Sequence, residues 1–143
     1  MYEKIILTDN SQTTILILLM VGAVFLSEGI QKFLFPELRG AGRFETIGLP
    51  FPQFLGNFVG AFEIACGMLL LLGLFTRLAS MPLIIIMLVA IATTKADALV
   101  NDGFWEMLHG SRTDWAMLLG AIFLAIKGRG KWSLDERLSR DGK

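Results

Sequence analysis

Glu63 sits near the middle of FLGNFVGAFEIACGMLLLLGLF, residues 54–75, a run apolar for about 20 residues and so long enough to cross a bilayer as a helix. At about 100° per residue, Gly56, Gly60, Glu63 and Gly67 fall within one narrow arc of such a helix, so the carboxylate shares its face with glycines. Small residues let helix backbones approach closely, which places this face against another helix and turns Glu63 inward. There the carboxyl must be neutral, hydrogen-bonded or paired, because an unpaired charge in that medium costs several kcal/mol. Two uses fit: fastening two helices together, or binding a ligand or a proton.

A second polar set lies in FLSEGIQKF, where Glu28 and Lys32 stand one turn apart, acid before base, with Phe25 on the same stripe. That order suits a pair along one helix, either self-neutralised to ease insertion or lining a polar pocket together with Glu63. Other chemistry finds no residues to use. His109 is the single histidine and falls in an expected loop, which excludes a bis-histidine haem within one chain, and no metal-ligand cluster can be assembled. Cys66 is the single cysteine, so the chain holds no internal disulfide or dithiol relay; one turn from Glu63, it reads as a small apolar packing residue. Met68, Met81 and Met87 read as apolar filler, and neither a phosphate-cradling glycine loop nor a Ser-His-Asp set is present.

The elements that must position these side chains are membrane helices. Hydrophobic residues make up 54% of the 143, with a mean hydropathy of +0.61, well beyond what one soluble core of this size uses. The pattern predicts an all-α, integral membrane four-helix bundle in a single domain over 1–143, with spans at about 13–35, 54–74, 78–95 and 114–128 and an interfacial C-terminal segment over 129–143. Pro36 marks the exit of the first span, and the Gly- and Pro-rich PELRGAGRFETIGLPFPQ lies outside the hydrocarbon as loop or interfacial structure. Pro52 suits the first turn of the second span. The short link LFTR makes spans two and three an antiparallel pair, with Thr76 as N-cap and Pro82 close enough to the start to cost little. ADALVNDGFWEMLHGSRTD, carrying Phe104, Trp105, Met107 and Leu108, reads as a loop resting on the membrane interface. The fourth span is shorter than the hydrocarbon and must extend into its flanks or be held by its neighbours. Beyond it, Ser133 and Glu136 have the spacing of a capping box.

Charge informs by position. Thirteen basic and thirteen acidic residues cancel, giving no reason to expect nucleic acid as a partner. Lys4, Arg77, Lys127, Arg129, Lys131, Arg137, Arg140 and Lys143 gather with the termini and the short link, which places both termini in the cytoplasm of a multi-pass protein of the bacterial cytoplasmic (inner) membrane. The N-terminal MYEKIILTDNSQTT does not have the form of a cleaved signal.

Taken in order, FLSEGIQKFLFP, RFETIGLPFP, GAFEIACGMLLLLGLFTRLASMPLIIIMLVAI and GRGKWSLD resemble the DoxX family of small four-helix bacterial membrane proteins, over about residues 13–135. Family members commonly place a glutamate before the last span, where this chain has Asp114. The resemblance implies a membrane subunit or partner of a respiratory or thiol redox system, beside an oxidoreductase as protein partner. Glu28, Lys32, Arg43, Glu63 and Arg77 stand at its motif positions, as groups that would line a pocket for a bound quinone or lipid. No flavin, haem or iron-sulfur signature accompanies them, so no intrinsic cofactor and no metal are expected, and any redox centre must come from a quinone or a partner. Against this stand two rivals: a non-catalytic anchor or assembly protein, and a small transporter using the intramembrane carboxylate. The Gly and Ala content also suits a homo-oligomer.

Overall fold

The computed structural model describes residues 12–128. Among them all regular structure is helical: α1 Thr14–Leu34, α2 Pro36–Arg39, α3 Ala41–Thr46, α4 Pro52–Leu72, α5 Thr76–Asn101, α6 Phe104–Gly110 and α7 Arg112–Lys127. Three of these, α1, α4 and α5, are long and apolar enough to cross a membrane. Their outer faces carry large apolar side chains such as Leu16, Leu34, Phe54, Leu78 and Ile85 in exposed positions, an arrangement that suits acyl chains and not water. The C-terminal segment expected over 129–143, with Ser133 and Glu136, lies outside the described residues.

The backbone explains where each helix starts and stops. Pro52 does occupy the first turn of α4. Gly73 ends α4 in the left-handed region at φ 64°, with its own N–H and that of Leu74 returning to the carbonyls of Leu70 and Leu69. Phe75, at φ 46°, occupies the cap position of α5, one residue before the Thr76 expected there, and Thr76 is already helical. The α5 helix passes through Pro82 and continues beyond Lys95 to Asn101, because ADALVN offers no breaker before Gly103 turns the chain at φ 91°. Its 26 residues reach about 39 Å, longer than the hydrocarbon is thick. The segment expected as loop or interfacial structure after the first span coils into α2 and α3, and the one expected as a loop before the last span is taken up by the end of α5, by α6 and by the start of α7. The α7 helix extends to Arg112, and its 16 residues span about 24 Å.

The helices associate chiefly as two antiparallel pairs, α1 with α4 and α5 with α7. In the first pair the glycines meet in register. A Cβ on Gly29 would come within 2.8 Å of the Gly60 carbonyl oxygen, and one on Gly67 within 3.0 Å of the Gly22 carbonyl oxygen. Backbones can pack this closely only where side chains are missing. The two pairs join at the end holding the α4–α5 link. There Val21, Leu70, Leu83, Ala121 and Leu124, contributed by α1, α4, α5 and α7, are fully enclosed. Gly120 lets α7 onto Val21 at the same level.

Candidate functional site

The same four helices that close around leucines and alanines near the link separate toward the other end and leave a cavity of about 480 Å³. Its walls come from the far halves of all four, including Phe25, Phe58, Ile86, Met87 and Met117, and α2 and α3 lie over it with Arg39 and Arg43. The volume is within the usual range for a small-molecule site, and mostly apolar walls with a few convergent polar groups are the usual make-up.

Glu63 lies in the wall, 4% exposed, on the buried arc of α4 that also holds Gly56, Gly60 and Gly67. The face expected from the sequence is therefore the packed one, and the helix it packs against is α1. From α1, Lys32 extends its Nζ to 2.7 Å from Glu63 Oε2, the two side chains being 10% and 5% exposed. Beyond Lys32, nothing among the described residues donates a hydrogen bond to that oxygen. Gly60 leaves room for the approach: a Cβ there would sit 3.3 Å from Lys32 Cβ.

The intrahelical Glu28–Lys32 pair expected from their spacing is replaced by this interhelical one. Lysine has one ammonium on a flexible stem, and the carboxylate enclosed across the glycine seam has more to gain from it than the half-buried Glu28. Glu28 remains on the cavity wall, one turn of α1 before Lys32. Arg43 also lines the cavity, at its covered end. Arg77 does not join them. It is at the link end of α5, where its Nη2 donates to the Ile126 carbonyl oxygen at 2.9 Å and ties α5 to the last turn of α7.

Three further charged residues that the sequence reading left out of the site line the cavity: Arg39, Lys95 and Asp114. Lys95 Nζ is 3.1 Å from Asp114 Oδ2 and donates to the Gly110 carbonyl oxygen at 3.0 Å, fixing the α6–α7 corner against α5. Asp114 was visible as the acid heading the last span, but its base stood nineteen positions back on another helix, where no local periodicity links them. Cys66, one turn from Glu63, is buried and packs within the core. No group of three or more His, Cys, Asp or Glu side chains among the described residues is placed to hold a metal ion.

The DoxX family model matches residues 14–96, which include α1 through most of α5 and with them Glu28, Lys32, Arg43 and Glu63. The chain belongs to the DoxX family. It is 50% identical over 145 residues to the "Uncharacterized membrane protein Rv3486" of Mycobacterium tuberculosis, covering 97% of this chain and 89% of that one. It is 29% identical over 123 residues to the "Putative oxidoreductase CatD" of Bacillus subtilis, covering 85% and 84% of the two chains. No solved structure matches significantly. This is a membrane protein of the DoxX kind, and Lys32, Glu63 and most of the cavity wall fall within the matched part, while Thr113, Asp114 and Met117 of the wall lie beyond it.

Proposed function

We propose that this DoxX protein is a four-span membrane subunit or partner of a redox system, whose cavity receives the head group of a quinone. The observation that carries the reading is the Lys32–Glu63 ion pair, 2.7 Å long, set into the wall of an otherwise largely apolar cavity of about 480 Å³. A ring with two carbonyl oxygens needs apolar surfaces for its faces and a donor at its edge, and Lys32 has ammonium protons beyond the one aimed at Glu63. Glu63 orients that ammonium and accepts from any hydroxyl that comes within reach. When bound, the quinone would supply the electron-accepting chemistry for which this chain has no residues, and a partner oxidoreductase would supply the electrons. The name of the B. subtilis relative points the same way.

On this reading α7 is the fourth span, its 16 residues supplemented by contact with α5 and α1 where it is shorter than the hydrocarbon. On the same reading the link end faces the cytoplasm of a bacterial inner membrane and the cavity the outer side, an orientation supported by the basic residues that gather with the termini and the link in the sequence.

The test is purification in a mild detergent followed by extraction and mass spectrometry. Quinone should accompany the wild type and be lost from Glu63→Gln and Lys32→Met. Retention in both variants at the wild-type level would overturn the reading. A second reading is favoured by the glycine seam: Gly22, Gly29, Gly60 and Gly67 bring α1 and α4 together where the ion pair bridges them, as a fastener in an anchor or assembly protein would. In that case Glu63→Gln weakens the helix pair and leaves partner activity intact.

A further inference from the structure

The cavity is not closed equally on all sides. Between α1 and α7 it is sealed at the level of the ion pair by Phe25, 2% exposed, and Met117, 6% exposed. Between α4 and α5 its lining residues are also surface residues: Phe58 is 47% exposed, Ile85 62% and Val89 48%. A side chain that both lines a cavity and faces outward marks an edge of an opening. Arg39, Arg43 and Thr113 meet that test too, but they are polar and stand at the end away from the α4–α5 link, so the apolar part of the rim is the α4–α5 side. This opening faces sideways, between two helices long and apolar enough to span the bilayer, so what lies outside it is lipid. Phe58 also belongs to a ladder with Phe54 and Phe62, at ring separations of 5.6 and 4.8 Å, running along the outer face of α4 past the opening.

We propose that the cavity takes its ligand from the lipid phase through this α4–α5 opening, and that the ligand is a tailed amphiphile: its head reaches the Lys32–Glu63 pair and its tail leaves between Phe58 on one side and Ile85 and Val89 on the other. The inference rests on the quinone reading, and specifies which quinones fit: those with an isoprenoid tail, resident in the membrane. The geometry assigns each part of such a molecule a surface of its own kind. The polar head meets the charged wall, and the tail stays against phenylalanine, isoleucine and valine without crossing the Phe25–Met117 side. A ligand drawn from the bilayer has already been concentrated and oriented there, so the site needs no path from water for the tail.

The experiment uses full-length protein in vesicles containing a long-chain quinone that carries a diazirine on the first isoprenoid unit. After illumination, labelled peptides should map to the α4 and α5 faces around Phe58, Ile85 and Val89. Val89→Trp and Ile85→Trp, which add bulk at the rim, should lower labelling about tenfold, equivalent to roughly 1.4 kcal/mol of binding. Leu88→Trp, also exposed on α5 but not on the cavity wall, serves as the control for tolerance of a new tryptophan and should label as the wild type does. Labelling concentrated on α1 or α7, or unchanged by Val89→Trp and Ile85→Trp while Glu63→Gln abolishes it, overturns the lateral route and leaves the quinone reading standing. Absence of specific labelling in the wild type, with none of the probe retained on purification, overturns both.

Discussion

The ion pair between Lys32 and Glu63 makes a prediction whose two halves should differ in size. Both side chains are almost enclosed, and removing one partner of a buried pair typically costs about 3–5 kcal/mol, because the other charge is left without compensation. Here the two survivors are not equivalent. In Lys32→Met the carboxylate of Glu63 is held in the middle of α4, on a short stem, at 4% exposure, and has nowhere to go. In Glu63→Gln the ammonium of Lys32 belongs to the last turn of α1, with a long stem that can swing toward the covered end of the cavity, and Gln still offers it an acceptor. Lys32→Met should therefore cost about 3 kcal/mol and Glu63→Gln about 1 kcal/mol, with the double variant losing no more than about 2.5 kcal/mol and so being more stable than Lys32→Met alone.

The assay is reversible unfolding in mixed micelles by titration with a denaturing detergent, followed by tryptophan fluorescence, on all four members of the cycle. Its coupling energy separates two descriptions of the contact. An ordinary interhelical hydrogen bond in a membrane protein averages about 0.6 kcal/mol in such cycles, whereas an ionised pair out of water should exceed about 1.5 kcal/mol. A coupling below about 0.5 kcal/mol, or a Glu63→Gln loss larger than that of Lys32→Met, would refute the reasoning, since either would mean that the charge on Lys32 is not what Glu63 depends on.

Two other perturbations test the frame around the pair. Gly29→Ala places a Cβ 2.8 Å from the Gly60 carbonyl oxygen and from the Ile64 backbone nitrogen, neither of which can yield without moving α4, and should cost about 1–3 kcal/mol in the same titration. Gly110→Ala, which meets nothing within 4 Å, should stay within about 0.5 kcal/mol of the wild type. At the link end, Arg77→Ala removes the hydrogen bond to the Ile126 carbonyl and should lower stability without changing how much quinone co-purifies, whereas Asp114→Asn, at the cavity's own rim, should change quinone retention by less than Glu63→Gln does because its pair with Lys95 is partly solvated.

The inward direction of Glu63 was legible because it depends on one helix alone: Gly56, Gly60 and Gly67 share its arc, and an arc of small residues on a membrane helix is a packed one. What that face packs against depends on two helices, and the matching signal went unread. Gly22 and Gly29 are seven residues apart on α1, as Gly60 and Gly67 are on α4, but equal spacings in an alanine- and glycine-rich chain become evidence of contact only once the helices are known to be neighbours. The same limit explains Lys32. Its spacing from Glu28 is favourable, and a local rule chooses the local partner; burial across the seam chose the distant one. Arg77 was grouped with the cavity residues by family motif, and motifs carry no information about which end of a helix a residue occupies. The turn at Gly73 does carry it, since it sends Arg77 and Lys95 to opposite ends of α5.

That turn also bears on why the cavity is where it is. Gly73, Leu74 and Phe75 are too few to let α4 and α5 diverge at the link, so the side chains between them there must be enclosed, and Leu70 and Leu83 are. Toward the other end no short connection holds α4 to α5. Each is held instead to its own partner, α4 to α1 by the glycine seam and the ion pair, and α5 to α7 and α6 by Lys95 with Asp114 and Gly110. The ion pairs found at that end among the described residues thus act within the pairs and not between α4 and α5. A single design, tight pairs joined at one end, accounts for the closed leucine core, for the cavity, and for an opening on the α4–α5 side. It also leaves both charged clasps, Lys32 with Glu63 and Lys95 with Asp114, on the wall of that one cavity.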